Sequence, residues 1–161
     1  MGRIVRPVDF QRVLGTSPWA RSPHFAVHHL QQAPARRVHP AADIQQLSTA
    51  REQACPPLVD ELPAQAPVSP PVDGWWLGLV VPKRHAKRSV TRSLLKRQMR
   101  AAAHAAVPPA QPSLRPGMWV VRLRAVIDRK KYPSAASEAL RRAMHDELQQ
   151  LMLKAALRCD G

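Results

Sequence analysis

Gly74-Trp75-Trp76-Leu77-Gly78-Leu79-Val80-Val81-Pro82 runs directly into Lys83-Arg84-His85-Ala86-Lys87-Arg88-Ser89-Val90-Thr91-Arg92-Ser93-Leu94-Leu95-Lys96-Arg97-Gln98-Met99-Arg100. The first stretch is a near-continuous apolar run ending at proline, the pattern of a strand buried on both faces. The second holds eight Lys and Arg residues and no acid. It reads as a helix from about Ala86 to Ala106, stopped by Pro108-Pro109. On a helix, Arg88, Arg92, Lys96 and Arg100 stand four apart and trace one ridge, with Arg97 at its edge. Ala86, Val90, Leu94 and Ala101 form the arc expected to pack on a sheet. Like charges at this spacing oppose the helix by a few tenths of a kcal/mol per pair. A solvated helix would interleave Glu with these cations, and none is present.

Outward from this unit, Arg6 to Gly15 reads as a short helix, with Pro7 in its first turn and Gly15 just past its end. Phe10, Val13 and Leu14 share one face of it. His24 to Leu30 has the length and mixed apolar character of a strand. Residues Gln31 to Asp73 contain eight prolines and few large apolar side chains. They read as a long, flexible insertion between paired strands, with helical turns feasible only around Ala41 to Gln53. Downstream, Met118 to Ala125 reads as a strand. A last helix runs from Ser134, its expected cap, to Leu157, with Leu140, Met144, Leu148, Leu151, Met152 and Ala155 as its apolar stripe. The order helix, strand, insertion, strand, helix, strand, helix predicts one α+β or α/β domain over residues 1–161.

Charge bounds the function. Lys and Arg number 25 against 11 acids, a formal +14, and a surplus of that size is usually matched by a polyanion. Arg presents a planar fork to phosphate oxygens and Lys a mobile point charge, so the ridge suits an RNA backbone read by shape rather than by base. No apolar run approaches the roughly 20 residues that span a bilayer. Met1 to Phe10 is not followed by the apolar segment of a signal peptide, so a cytoplasmic protein is expected. Cys55 and Cys159 stand far apart without a CxxC partner, which argues against structural zinc and a disulfide framework.

Gly78-Leu79-Val80-Val81-Pro82-Lys83-Arg84, then Ala86-Lys87-Arg88-Ser89-Val90, then Arg92 to Arg100, resembles the signature of the bacterial ribonuclease P protein family. That family carries Arg-Asn-Arg-x-Lys-Arg-x-x-Arg on the helix after a buried strand. Here Arg92, Lys96, Arg97 and Arg100 agree with it, while Ser93 and Leu94 replace the Asn and the second Arg. Asp9 to Leu14, Ser22 to Phe25, Gly117 to Leu123 and Tyr132 to Met152 are similar to the family's remaining elements, in order. The resemblance implies a single-domain α-β sandwich, like the second domain of ribosomal protein S5, with a left-handed βαβ crossover containing the basic helix. It implies a catalytic RNA partner docked on Lys83, Arg84, Lys87, Arg88, Arg92, Lys96, Arg97 and Arg100. It further implies that the 5′ leader of precursor tRNA lies along a cleft lined by Phe10, Arg12, Leu14, Phe25 and His28. For Phe10 and Phe25, plain core packing is the competing reading.

The implied reaction is magnesium-dependent hydrolysis that removes the tRNA 5′ leader, which ordinarily needs clustered carboxylates. Asp9, Asp73 and Asp128 are isolated in sequence, and Asp146-Glu147 have no evident companions, so the metal is expected on the RNA and no catalytic residue on this chain. Two alternatives stay open. One is a stand-alone RNA-binding protein of the ribosomal or rRNA-maturation type. The other is a protein-only nuclease using His24, His28 and His29, although strand alternation puts His28 and His29 on opposite faces.

Overall fold

Three helices and five strands are arranged as α1 on one face of a mixed sheet and two helices on the other, in a computed structural model that describes residues 1–35, 72–108, 112–128 and 130–159. The elements are β1 (Gly2–Arg3), α1 (Pro7–Leu14), β2 (Ala20–Arg21), β3 (Phe25–Leu30), β4 (Trp75–Val80), α2 (Ser89–Ala105), β5 (Gly117–Leu123) and α3 (Glu138–Leu157). The sheet order is β1-β4-β5-β3-β2. β4 and β5 are parallel neighbours joined through α2, whereas β3 runs antiparallel to β5 and β2 antiparallel to β3. This is an α+β fold. Most of the expected insertion, including Ala41 to Gln53 and Cys55, lies outside the described residues.

Alternation along the strands sorts side chains between two cores. Phe25, Val27, Leu77, Trp119, Val121 and Leu123 turn toward α2 and α3, where they meet Leu95, Met99, Leu148 and Leu151. Met118, Val120, Trp76 and Val80 turn the other way, toward Val13, Phe10 and Leu14 of α1. The approach of α1 requires a glycine beneath it, since a Cβ on Gly78 would stand 2.5 Å from Cε1 of Phe10. Gly117 opens β5 at φ +133, where a side chain would be strained and would meet the Leu30 carbonyl at 2.6 Å.

The expected apolar stripe of α3 is buried along its length. Its cap differs from expectation: Ser137 and not Ser134 accepts the Leu140 N–H, at 3.2 Å. α2 also begins later than expected, at Ser89, because Pro82 to Ala86 is taken up by a turn in which His85 and Ala86 both donate to the Pro82 carbonyl. The face that α2 buries is rotated from the expected arc. Val90 is 55% exposed and Ala101 exposed, whereas Thr91, Leu94, Leu95, Met99, Ala102 and Ala103 are buried. Leu95 and Met99 carry more apolar area than Val90 and Ala101, so burying them wins the rotation.

Candidate nucleic-acid interface

The turn between β4 and α2 is pinned by apolar and backbone contacts, which leaves its charges outside. Ala86 is buried, the His85 carbonyl accepts from Ile127 N–H at 2.9 Å, and His85 Nδ1–H donates to Leu123 O at 3.0 Å. That tautomer frees Nε2 of His85 to accept from Arg84 Nε at 3.2 Å. Lys83, Arg84, Lys87 and Arg88 are exposed around this anchored turn. Arg88 is the residue at the head of α2, not a member of its ridge, and its guanidinium donates to Pro133 O. Arg92 reaches back to Lys87 O at 2.7 Å and Ala86 O at 3.1 Å, and so ties the helix to the turn.

Further along α2, Lys96, Arg97 and Arg100 are exposed and make no such bonds to protein among the described residues. Each ion pair found there, Arg12–Asp9, His24–Glu147, Arg141–Glu138 and Arg142–Glu138, lies elsewhere. None of the eight cations from Lys83 to Arg100 has a carboxylate partner among the described residues. The first turn of α2 also lacks an acid, so the positive end of its dipole adds to the field. Leu94, at the position of the motif's second Arg, is 3% exposed and belongs to the core, whereas Ser93 is exposed.

The expected leader cleft is only partly assembled. Phe10, Leu14 and His28 lie on the α1 side of the sheet, and Arg12 of α1 donates to Asp9 Oδ1 and to Gln32. Phe25 is not with them. It is fully buried on the opposite face, under α2 and α3, where it packs as core. His28 is 6% exposed and donates through Nδ1–H to Thr16 O at 3.0 Å. Burial lowers its pKa, the bond to Thr16 opposes this, and Arg122 and Arg21 add to the lowering. These two arginines escaped the sequence reading. Arg122 pairs with Ala26 and Ala26 with Arg21, so both share the face of His28 and border α1 with a cationic row. Strand alternation, extended from Met118 and Val120 to Arg122, was the available signal.

His24, His28, His29, Glu147 and Asp9 have structural partners. His28 and His29 point to opposite faces, and His29 stacks on Trp119 while donating to Pro116 O. Glu147, which has no companion in sequence, accepts from Ser22 Oγ at 2.6 Å, His24 N–H at 2.7 Å and His24 Nδ1–H at 2.7 Å. Asp9 is buried and accepts from Arg12 and from the Ala35 N–H. Among the described residues no three His, Cys, Asp or Glu side chains converge as a metal site, and no helix is long and apolar enough to cross a membrane.

No curated protein matches the chain significantly. A family model described as ribonuclease P matches residues 2–155, so that the cationic turn, α2 and the sheet beneath them all fall within it. The chain therefore belongs to the ribonuclease P family, as a bacterial ribonuclease P protein component acting in tRNA processing within a ribonucleoprotein.

Proposed function

We propose that this protein binds the catalytic RNA of ribonuclease P through the Lys83–Arg88 turn and the exposed face of α2. The leader of precursor tRNA then lies along the α1 side of the sheet, and the complex removes it endonucleolytically in the cytoplasm. The observation that carries this reading is the run of eight cations from Lys83 to Arg100 without a carboxylate partner among the described residues. Such unneutralised charge is stabilised by phosphates, with release of counterions. On the leader side, Phe10 and Leu14 supply an apolar wall, His28 a neutral edge, and Arg12, Arg21 and Arg122 the charge. The family reading brings with it the left-handed sense of β4-α2-β5 and the likeness to the second domain of ribosomal protein S5.

Among the described residues the carboxylates do not converge on a site that fits a resident magnesium ion. Asp9 is turned to Arg12 and Ala35, Glu147 to Ser22 and His24, and Glu138 to Arg141 and Arg142. The family reading assigns magnesium and the catalytic centre to the RNA subunit. The test is reconstitution: purified protein should leave precursor tRNA intact, yet raise cleavage at low magnesium when the catalytic RNA is added. Cleavage by the RNA-free protein, abolished by changing His28, would reverse the assignment. No stimulation of the RNA would reduce the protein to a stand-alone RNA binder.

A further inference from the structure

A cavity of about 230 Å³ opens where the N-terminal segment, α1, the outer edge of β4 and α2 meet. Phe10, Leu77 and Leu79 give it apolar walls, and Lys96, Arg100 and His104 stand along its α2 side. These three lie four residues apart on one exposed helix face, and no acid among the described residues lines the cavity. Among the described residues the strand edge within it is open. Ile4 N–H reaches Leu77 O at 3.0 Å, and among the described residues no backbone group bonds Leu79 beyond it on that side. Backbone groups alternate between the two edges of a strand, so Leu79 directs one N–H and one C=O to the same edge as Leu77. An uncovered edge of this kind is normally blunted or paired.

We propose that this cavity is a nucleotide site, taking one unstacked base of a single-stranded RNA segment and its flanking phosphate. The base lies against Phe10 and the two leucines and meets the backbone N–H and C=O of Leu79 with its hydrogen-bonding edge. Lys96 and Arg100 hold the phosphate, with His104 beside them. A peptide strand would also satisfy the open edge, but a wall of three basic side chains, with no acid among the described residues, favours an anion. The volume falls below the roughly 300–1,000 Å³ of clefts for drug-sized ligands, which leaves room for one base rather than for a dinucleotide cofactor. The inference rests on α2 being the RNA-binding helix. It gives that helix a second task, anchoring one base in addition to neutralising a backbone.

The test is a methyl and aromatic NMR titration of the full chain with AMP, adenosine and inorganic phosphate in parallel. AMP should shift Leu77, Leu79 and Phe10 saturably, adenosine should do so at least about tenfold more weakly, and phosphate should leave them in place. Leu and Phe signals that ignore AMP, or that respond equally to phosphate, would overturn the proposal. His104→Glu changes an exposed residue, so the fold persists, and it should weaken AMP binding at least fivefold; equal affinity counts against the site. Catalytic RNA is titrated separately. Saturable AMP binding by a chain with no affinity for that RNA would uphold the cavity and defeat the ribonuclease P interface instead.

Discussion

The cations at the head of α2 and along it differ in what already holds them, and this separates two kinds of variant. Lys96, Arg97 and Arg100 have no protein partner among the described residues, whereas Arg88 and Arg92 donate to backbone carbonyls. Each phosphate contact contributes about 0.7–0.9 to the slope of log affinity against log salt. Between 50 and 200 mM salt, one contact therefore accounts for about a threefold loss of affinity, and three contacts for about 20- to 40-fold. Replacing Lys96, Arg97 and Arg100 together with Ala should reduce the slope by about 2–3 and flatten the salt response by that factor. Arg92→Ala should instead cost about 1–2 kcal/mol of folding stability, through the lost bonds to Ala86 and Lys87, with a smaller change in slope. Filter binding to the catalytic RNA at four salt concentrations, beside urea melts of the same variants, measures both. An unaltered slope in the triple variant would remove this face of α2 from the RNA interface. Identical behaviour of Arg92→Ala and Lys96→Ala would refute the distinction drawn from their hydrogen bonds.

Three other perturbations follow from the buried polar groups and from the seat of α1. Burial alone would raise the carboxyl of Glu147, but the bonds from Ser22 and His24, together with the charge of His24, outweigh it and hold the pKa low. Its contribution is present above the ordinary value of 4.5 and is lost as pH falls through the lower folded value. Glu147→Gln should cost about 1–3 kcal/mol in urea at pH 7 and should flatten the acid limb of the stability curve. Burial lowers the pKa of His28 and His29, so below the ordinary value of 6.5 the unfolded chain takes up protons first. Stability should fall from pH 7.5 to 5.5, and less steeply in His29→Gln; equal slopes would clear His29 of that role. Gly78→Ala places a methyl against the Phe10 ring and Val120, and should destabilise by about 1–3 kcal/mol while weakening leader binding, read by melts and by precursor-tRNA affinity. Wild-type values in both assays would show that α1 can rise without cost.

Much of the fold was legible because its signals are local. Pro7 and Gly15 bracket α1, the apolar run up to Pro82 marks β4, and the spacing from Leu140 to Ala155 gives the buried stripe of α3. β1 and β2 were not legible: each has two residues, too few for a period, and they exist because Trp76-Leu77 and Ala26-Val27 offer edges to pair with. The companions of Glu147 were hidden for a related reason, since Ser22 and His24 lie more than a hundred residues away in sequence and meet it only when α3 docks on the β2–β3 hairpin.

By itself the sequence determined that residues 83–100 concentrate positive charge with no acid, because composition needs no third dimension. It could not decide which way those charges face. That followed from packing: burying Leu95 and Met99 rotated α2, committed Arg88 and Arg92 to backbone carbonyls, and left Lys96, Arg97 and Arg100 to solvent. Strand pairing made the corresponding choice for the aromatics, placing Phe10 on the α1 side and Phe25 in the opposite core. A helix has a face and a strand has a side only relative to a neighbour, and the neighbour is supplied by tertiary structure.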